Sequence, residues 1–422
     1  MRSTLTEREF AAFIGIDWAD TRHDVCLQAA GSDQREFSVL EHTPEAIAAW
    51  VSTLRRRFGG QPVAICVELN KGPLVYALSE YDFLVLFPVN PLTVARLREA
   101  FATSRAKDDP SDAELQLEVL LKHRERLKPL IPSSPAIRAL AQLVEHRRRL
   151  VGDKVRLVSR LRGTLKLYYP QALAWFDSVD TVLFCDFLTR WPTLKQVKRA
   201  RRSTLERFFY AHRVRSAALI DRRRRGIKAA VPITTDESII EPNRLQTQAL
   251  VAQLRAVLAA IEQFDEVIAQ RAQAHPDFAL FDALPGAGPA LAPRLLVAFG
   301  DQRERYACAA DLQKYAGIAP VIERSGNKCI VHWRWRCPRF LRQTFVEWSA
   351  KSIRHSFWAQ ACYQQQRARG KSHQAAVRVI AFKWIRILFR CWQDRRPYDE
   401  SAYLSALQKR GSPLLDNLAA QT

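Results

Sequence analysis

Four carboxylates in this sequence occupy positions from which they can reach one site. Asp17 closes the apolar run Phe13-Ile14-Gly15-Ile16-Asp17, and Glu68 closes Pro62-Val63-Ala64-Ile65-Cys66-Val67-Glu68. Asp109 and Asp112 stand three apart in Lys107-Asp108-Asp109-Pro110-Ser111-Asp112-Ala113, a spacing that puts both on one side of a helix start. Carboxylates gathered from separate segments are the hard oxygen ligands of Mg²⁺, or of Mn²⁺. A pair of such ions clamps the entering and leaving oxygens of a phosphoryl displacement. A simpler role is open for the last two acids: Asp109 before Pro110 is a good N-cap, and Asp112 in the first turn suits the helix dipole. Asp20, Asp24, Asp108 and Glu114 read as lone surface acids, with Asp108 a substitute ligand.

Ser325 precedes Gly326 in a polar loop, where a serine is ordinarily a turn residue. Its company is Arg324, Lys328, Arg334, Arg336, Arg339 and Arg342, cations able to hold a phosphate and to stabilise developing charge. His332 lies not far along the chain, but His332, His355 and His373 lack metal-ligand spacing. Leu284-Pro285-Gly286-Ala287-Gly288-Pro289 resembles a helix-hairpin-helix turn, whose backbone N–H groups at Gly286 and Gly288 can take a phosphate without reading sequence. A plain tight turn fits the same residues equally. Trp333 and Trp335 can stack on unpaired bases, although burial against the following helix is the expectation.

The elements that must position these residues follow from periodicity. After the first apolar run, Val25–Gln28 and Glu36–Val39 read as strands, Pro44–Phe58 as a helix, Pro62–Glu68 as a buried strand, Pro73–Ser79 as a short helix and Phe83–Phe87 as a last strand. That order, βββαβαβ, is the order of an RNase H-like core, in which the strands ending at Asp17 and Glu68 are neighbours. A helix follows Pro110, and Pro135–Leu167 reads as one long basic helix with an antiparallel partner over Asn243–Ala272. Lys198–Arg202 and Arg222–Arg225 add basic runs suited to phosphate contact. The expected division is an α/β domain over 11–130, a helical, coiled-coil-like basic segment over 131–273, a mainly helical domain over 274–398 and a polar tail over 399–422.

A chain of 422 residues exceeds one hydrophobic core, and 48% hydrophobic residues, with ten Trp and 21 Phe, exclude wholesale disorder. The balance of 65 Lys and Arg against 43 Asp and Glu, a net +22, points to a polyanion as partner. Ala375–Trp392 carries Arg378, Lys383, Arg386 and Arg390 and cannot span a bilayer, so no membrane partner is expected. Met1–Phe10 has no apolar signal region, which points to the cytoplasm. Eight cysteines without a C-x-x-C pair argue for reduced, mostly buried thiols.

Taken together, the motifs resemble the DEDD-type transposases of insertion sequences, the group that includes Piv-like invertases and bridge-RNA-guided recombinases. The resemblance rests on Ile14-Gly15-Ile16-Asp17, Val67-Glu68 and Lys107-x-Asp109-x-x-Asp112-Ala113. Toward the C-terminus it rests on Leu284-Pro285-Gly286-x-Gly288, Tyr315-Ala316-Gly317-Ile318-Ala319-Pro320, Ser325-Gly326, Arg339-Phe340-Leu341-Arg342 and Gly370-Lys371 with the helix bearing Lys383. It implies a RuvC-like domain with Asp17, Glu68, Asp109 and Asp112 as its acids, a coiled-coil segment, and a transposase domain in which Ser325 attacks DNA. It also implies a structured guide RNA encoded by the element. Trp333–Pro338 stands where members commonly carry a glycine-containing turn.

The expectation is therefore a DNA recombinase that uses Mg²⁺, forms a 5′-phosphoserine-type adduct and works as a homo-oligomer, dimer or tetramer, because two duplexes need several active sites. Retaining the phosphodiester in the adduct would let strands rejoin without ATP, and no P-loop is present. Two other functions fit parts of the pattern. One is a nuclease of the Holliday-junction resolvase type with Ser325 as a turn residue. The other is a noncatalytic nucleic-acid-binding protein whose acids are caps and ion pairs.

Overall fold

The structure is a computed structural model that describes residues 9–68, 71–101, 109–412 and 414. The chain divides into two compact units between Pro132 and Ser133.

In the first unit, β1 (Ala12–Asp17), β2 (Arg22–Ala29) and β3 (Arg35–Glu41) form a meander, followed by α1 (Pro44–Arg57), β4 (Val63–Val67), α2 (Pro73–Leu78), β5 (Leu84–Pro88), α3 (Pro91–Phe101) and α4 (Asp109–His123). Thr43 starts α1, its hydroxyl accepting from Ala46 N at 3.2 Å with Pro44 in the first turn. The sheet order is β3-β2-β1-β4-β5, with β1 antiparallel to β2 and parallel to β4. Strand alternation sorts the side chains. Ile14, Ile16, Val63, Ile65 and Val67 enter one core with α1 and α2, whereas Ala64 and Cys66 face the opposite side, in a core with residues of α3 and α4. Edge strand β3 is mostly exposed.

The second unit opens with α5 (Pro135–Tyr168), capped by the Ser134 hydroxyl. Short helices α6 (Gln171–Trp175), α7 (Val182–Arg190), α8 (Leu194–Lys198), α9 (Arg202–Ala211) and α10 (Ala217–Ala229) lead to α11 (Glu237–Gln273). After them come α12 (Phe278–Asp282), α13 (Gly288–Phe299) and α14 (Ala309–Tyr315), the hairpin of β6 (Val321–Ser325) and β7 (Lys328–His332), then α15 (Arg339–Ser352), α16 (Phe357–Ala368), α17 (His373–Asp394) and α18 (Glu400–Lys409). At 1.5 Å per residue α5 is about 50 Å long, and it packs antiparallel to α11. Ile137, Leu140 and Val144 join Ile268 and Ala272 in one core, whereas Leu157, Leu161 and Leu165 join Leu250, Val251 and Leu254 in another.

The helical middle is thus more than a paired arm, because α6 to α10 build an aromatic core at its far end around Trp175, Phe176, Phe184, Phe187, Phe208 and Phe209. Helix α11 also begins six residues before the expected Asn243. Asp236 caps it, accepting from Ser238 N at 2.8 Å, and Pro242 sits early in the helix, while Asn243 Nδ2 donates to Ile239 O at 2.8 Å. No helix among the described residues is long and apolar enough to cross a membrane.

Candidate active site

The acids of the first unit are placed by strand register. Ile16 pairs with Val67 across the parallel β1–β4 ladder, so Asp17 and Glu68 follow at the same level on neighbouring strand ends. Because Ile16 and Val67 face the α1–α2 core, alternation turns Asp17 and Glu68 to the other face, the one covered by α4. Asp24, expected to be a lone surface acid, is half-buried and directly opposite Asp17 in the β1–β2 ladder, so it shares that face.

Gly15 brings α4 onto this face. A Cβ there would fall on the carbonyl oxygen of Ala113 and 2.5 Å from Leu117 N, so the helix backbone lies directly against the strand. The residue before Ala113 is Asp112, which is 3% exposed. Its Oδ1 accepts from Arg98 Nε of α3 at 2.8 Å and also from Arg98 Nη2. Capping alone therefore does not account for Asp112, since a cross-helix ion pair engages it. Gln116, one turn further, is fully buried, and neither its amide nitrogen nor its oxygen has a hydrogen-bond partner among the described residues. Asp109 opens α4, but its side chain, like all of Lys107 and Asp108, lies outside the described residues. Among the described residues no group of three or more His, Cys, Asp or Glu side chains is close enough to hold a metal ion. Asp17, Asp24 and Glu68 thus share one face at one end of the sheet.

The turn after Asp17 is held by a histidine pair that the sequence did not single out. His23 is fully buried, its Nδ1 accepts from Ala19 N at 3.2 Å, and its Nε2 lies 2.9 Å from His42 Nδ1. Burial, and then the neighbouring His42, lower the His23 pKa to about 4, so the ring is neutral and Trp18 stacks on it.

In the second unit Ser325 ends β6 of an exposed hairpin, not an irregular loop, and Gly326 turns the chain at φ +54°. Ser325 pairs with Lys328, so the hydroxyl and the ammonium share a face. Glu323, on the same face, meets His332 Nε2 at 3.1 Å, which occupies the histidine with a carboxylate. Arg324, Lys328, Arg336 and Arg339 are exposed. Arg334 and Arg342 are turned to the protein itself: Arg334 Nε donates to Ala319 O at 3.1 Å, and Arg342 Nη2 donates to Trp335 O at 2.9 Å. Trp333 lies between the guanidinium groups of Arg342 and Arg378, at 4.9 and 4.3 Å. Trp335, expected to be buried, is 79% exposed.

Gly286 and Gly288 both take positive φ in the turn between α12 and α13. A Cβ on Gly286 would come within 2.9 Å of His355 Cδ2 and 3.1 Å of the Lys351 backbone, so packing demands glycine there. Gly288 opens α13 at the exposed surface. The basic run of α10 divides in the same way. Arg223 is buried between the rings of Phe176 and Phe209 and donates to Trp175 O at 2.8 Å, while Arg224 and Arg225 pair with Asp221. The cysteines are all free, and only Cys26, Cys66, Cys185 and Cys362 are fully buried, which is half of the expected set.

Parts of both units match known proteins. Residues 14–170 match a family model described as a transposase, of the DEDD type of IS110, and residues 279–364 match one described as the transposase IS116/IS110/IS902 family. A Streptomyces coelicolor protein that bears the name "Mini-circle putative transposase for IS117" is 28% identical over 98% of this chain and all of its own length. An insertion element IS116 protein of Streptomyces clavuligerus is 25% identical over 93% of this chain and 97% of its own. The insertion element IS110 protein of Streptomyces coelicolor is 23% identical over 93% and 96%. The two models together cover more than half of the residues, the first spanning Asp17, Glu68, Asp109 and Asp112 and the second Ser325, and the chain belongs to the IS110/IS116 family of insertion-sequence transposases.

Proposed function

We propose that this transposase cuts and rejoins DNA through Ser325, with Asp17, Glu68, Asp109 and Asp112 of an RNase H-like first unit holding Mg²⁺. The carrying observation is the adjacency of Asp17 and Glu68 at the ends of β1 and β4, on the face where Gly15 admits α4 and Asp112. The strand order β3-β2-β1-β4-β5, with β2 antiparallel, supports the RNase H-like reading. The donor set fits a hard cation, being made of carboxylates only. Bound Mg²⁺ would neutralise the phosphate charge that builds up during displacement.

The Ser325 oxygen attacks phosphorus and gives up its proton. One deoxyribose oxygen leaves as a hydroxyl, and a phosphoserine ester remains. A hydroxyl of the second strand then attacks that ester, which returns the serine and closes the new phosphodiester, so no nucleotide hydrolysis is needed. Lys328, across the ladder from Ser325, is placed to stabilise the charge on the phosphate. The net charge of +22 supports binding of a structured guide RNA as well as DNA, and the chain acts as a homo-oligomer because two duplexes need several active sites.

The test is adduct capture. The chain, its element DNA, guide RNA and Mg²⁺ are expected to yield a denaturant-resistant protein–DNA adduct that maps to Ser325. It is expected to be lost in both Ser325→Ala and Asp17→Asn. Cleavage that survives Ser325→Ala but not Asp17→Asn would replace this mechanism by metal-dependent hydrolysis of the resolvase type.

A further inference from the structure

The β6–β7 hairpin and the segment after it carry an aromatic side chain that the cleavage chemistry does not use. Trp335 is 79% exposed, whereas Trp348, Trp358, Trp384 and Trp392 of the same unit are fully buried. An indole left in water forgoes the burial that makes tryptophan valuable to a fold. The segment bearing it is nevertheless held down. Arg342 Nη2 donates to the carbonyl of Trp335 at 2.9 Å and also to that of Arg334, and Arg334 Nε donates to Ala319 O at 3.1 Å. Arg342 is itself stacked on Trp333. The backbone at position 335 is thus fastened to α15 and to the strand entry while the ring stays in solvent.

The surroundings specify the occupant. Arg324 and Lys328 of the hairpin and Arg336 and Arg339 next to Trp335 in the chain are exposed, and the one acid of the hairpin, Glu323, is taken by His332. A flat apolar ring on a fixed mount among exposed cations matches a nucleobase joined to phosphates. In a stacked duplex both faces of each base are covered, so the ring can take only a base that has left the stack.

We propose that Trp335 is a stacking platform for an unpaired nucleobase of the nucleic acid bound along the β6–β7 hairpin. It rests on the reading that this region engages DNA, and it adds that strand separation or base extrusion accompanies binding there. The probe is a mixed-sequence single-stranded oligonucleotide with one 2-aminopurine, compared with its duplex. Both are titrated into the full chain in a Ser325→Ala background, so that no chemistry is required. Stacking is expected to quench 2-aminopurine on binding. Trp335→Ala is expected to remove the quenching and to weaken single-strand binding by about tenfold, while Trp335→Phe keeps most of both. The salt dependence is expected to stay unchanged, because no charge is removed.

Unaltered quenching and affinity in Trp335→Ala would overturn the proposal and leave the serine mechanism standing, since adduct capture tests that mechanism separately. A lowered oligomeric state in Trp335→Ala with unaltered quenching would overturn it as well and assign the ring to a contact between copies of the chain.

Discussion

Arg98 and Asp112 form an ion pair in which the carboxylate is 4% exposed and the guanidinium 24% exposed. The two partners therefore lose different things when the pair is broken. Arg98→Ala strands a buried carboxylate and is expected to cost about 3–5 kcal/mol of stability. Asp112→Asn leaves an arginine that can turn to water and costs less. Urea denaturation of the two variants measures the difference, and equal losses would mean that the pair is not seated as the structure has it.

Gly15→Ala tests the seating of α4. The added methyl meets backbone, which cannot swing aside, so a loss of about 1–3 kcal/mol or more is expected. DNA cleavage should fall even though every carboxylate is retained, because α4 carries Asp109 and Asp112. Cleavage assays and denaturation curves on the same preparation check both effects.

His23 makes stability depend on pH. Its folded pKa of about 4 lies below the ordinary histidine value of 6.5, so between these values the unfolded chain binds more protons than the native one. Its stabilising contribution is complete above pH 6.5 and is lost as pH falls toward 4. Unfolding free energies measured from pH 7 downward should therefore fall less steeply in His23→Gln than in the parent chain.

Arg222 and Arg223 are neighbours with opposite exposure. Arg223→Ala removes a buried guanidinium that lies over two rings and holds a carbonyl, so it should destabilise the helical unit and leave the salt slope of DNA binding unchanged. Arg222, which is exposed, should do the reverse when changed to Ala if it contacts phosphate, lowering the slope by about one. Binding titrations over a range of salt separate the two.

Lys328→Ala should leave stability within about 0.5 kcal/mol, as for other exposed residues, and slow adduct formation on the facing serine. Single-turnover adduct assays with matched thermal melts read both.

Much of the first unit was legible in the sequence because its signals are local. Short, nearly continuous apolar runs buried on both faces mark β1 and β4, a Pro in the first turn marks α1 and α2, and the ends of the apolar runs mark Asp17 and Glu68. The β6–β7 hairpin escaped for the converse reason. Nearly all of its residues are exposed, so no apolar alternation betrays the strands, and only the two-residue turn Gly326-Asn327 carried a hairpin signal.

Tertiary structure alone decided which charges and rings face inward. Nothing near Arg98 announces Asp112, fourteen residues on. Nothing in the run Arg222–Arg225 distinguishes the arginine that Phe176 and Phe209 enclose. Trp333 and Trp335, two residues apart, end half-buried between guanidinium groups and 79% exposed respectively. Propensity and periodicity act over a few residues, whereas the surroundings of a long side chain depend on which distant segments arrive beside it. The residue types determined what chemistry is available, and the packing of α4 on Gly15 and of α15 beneath Trp335 decided where it is displayed.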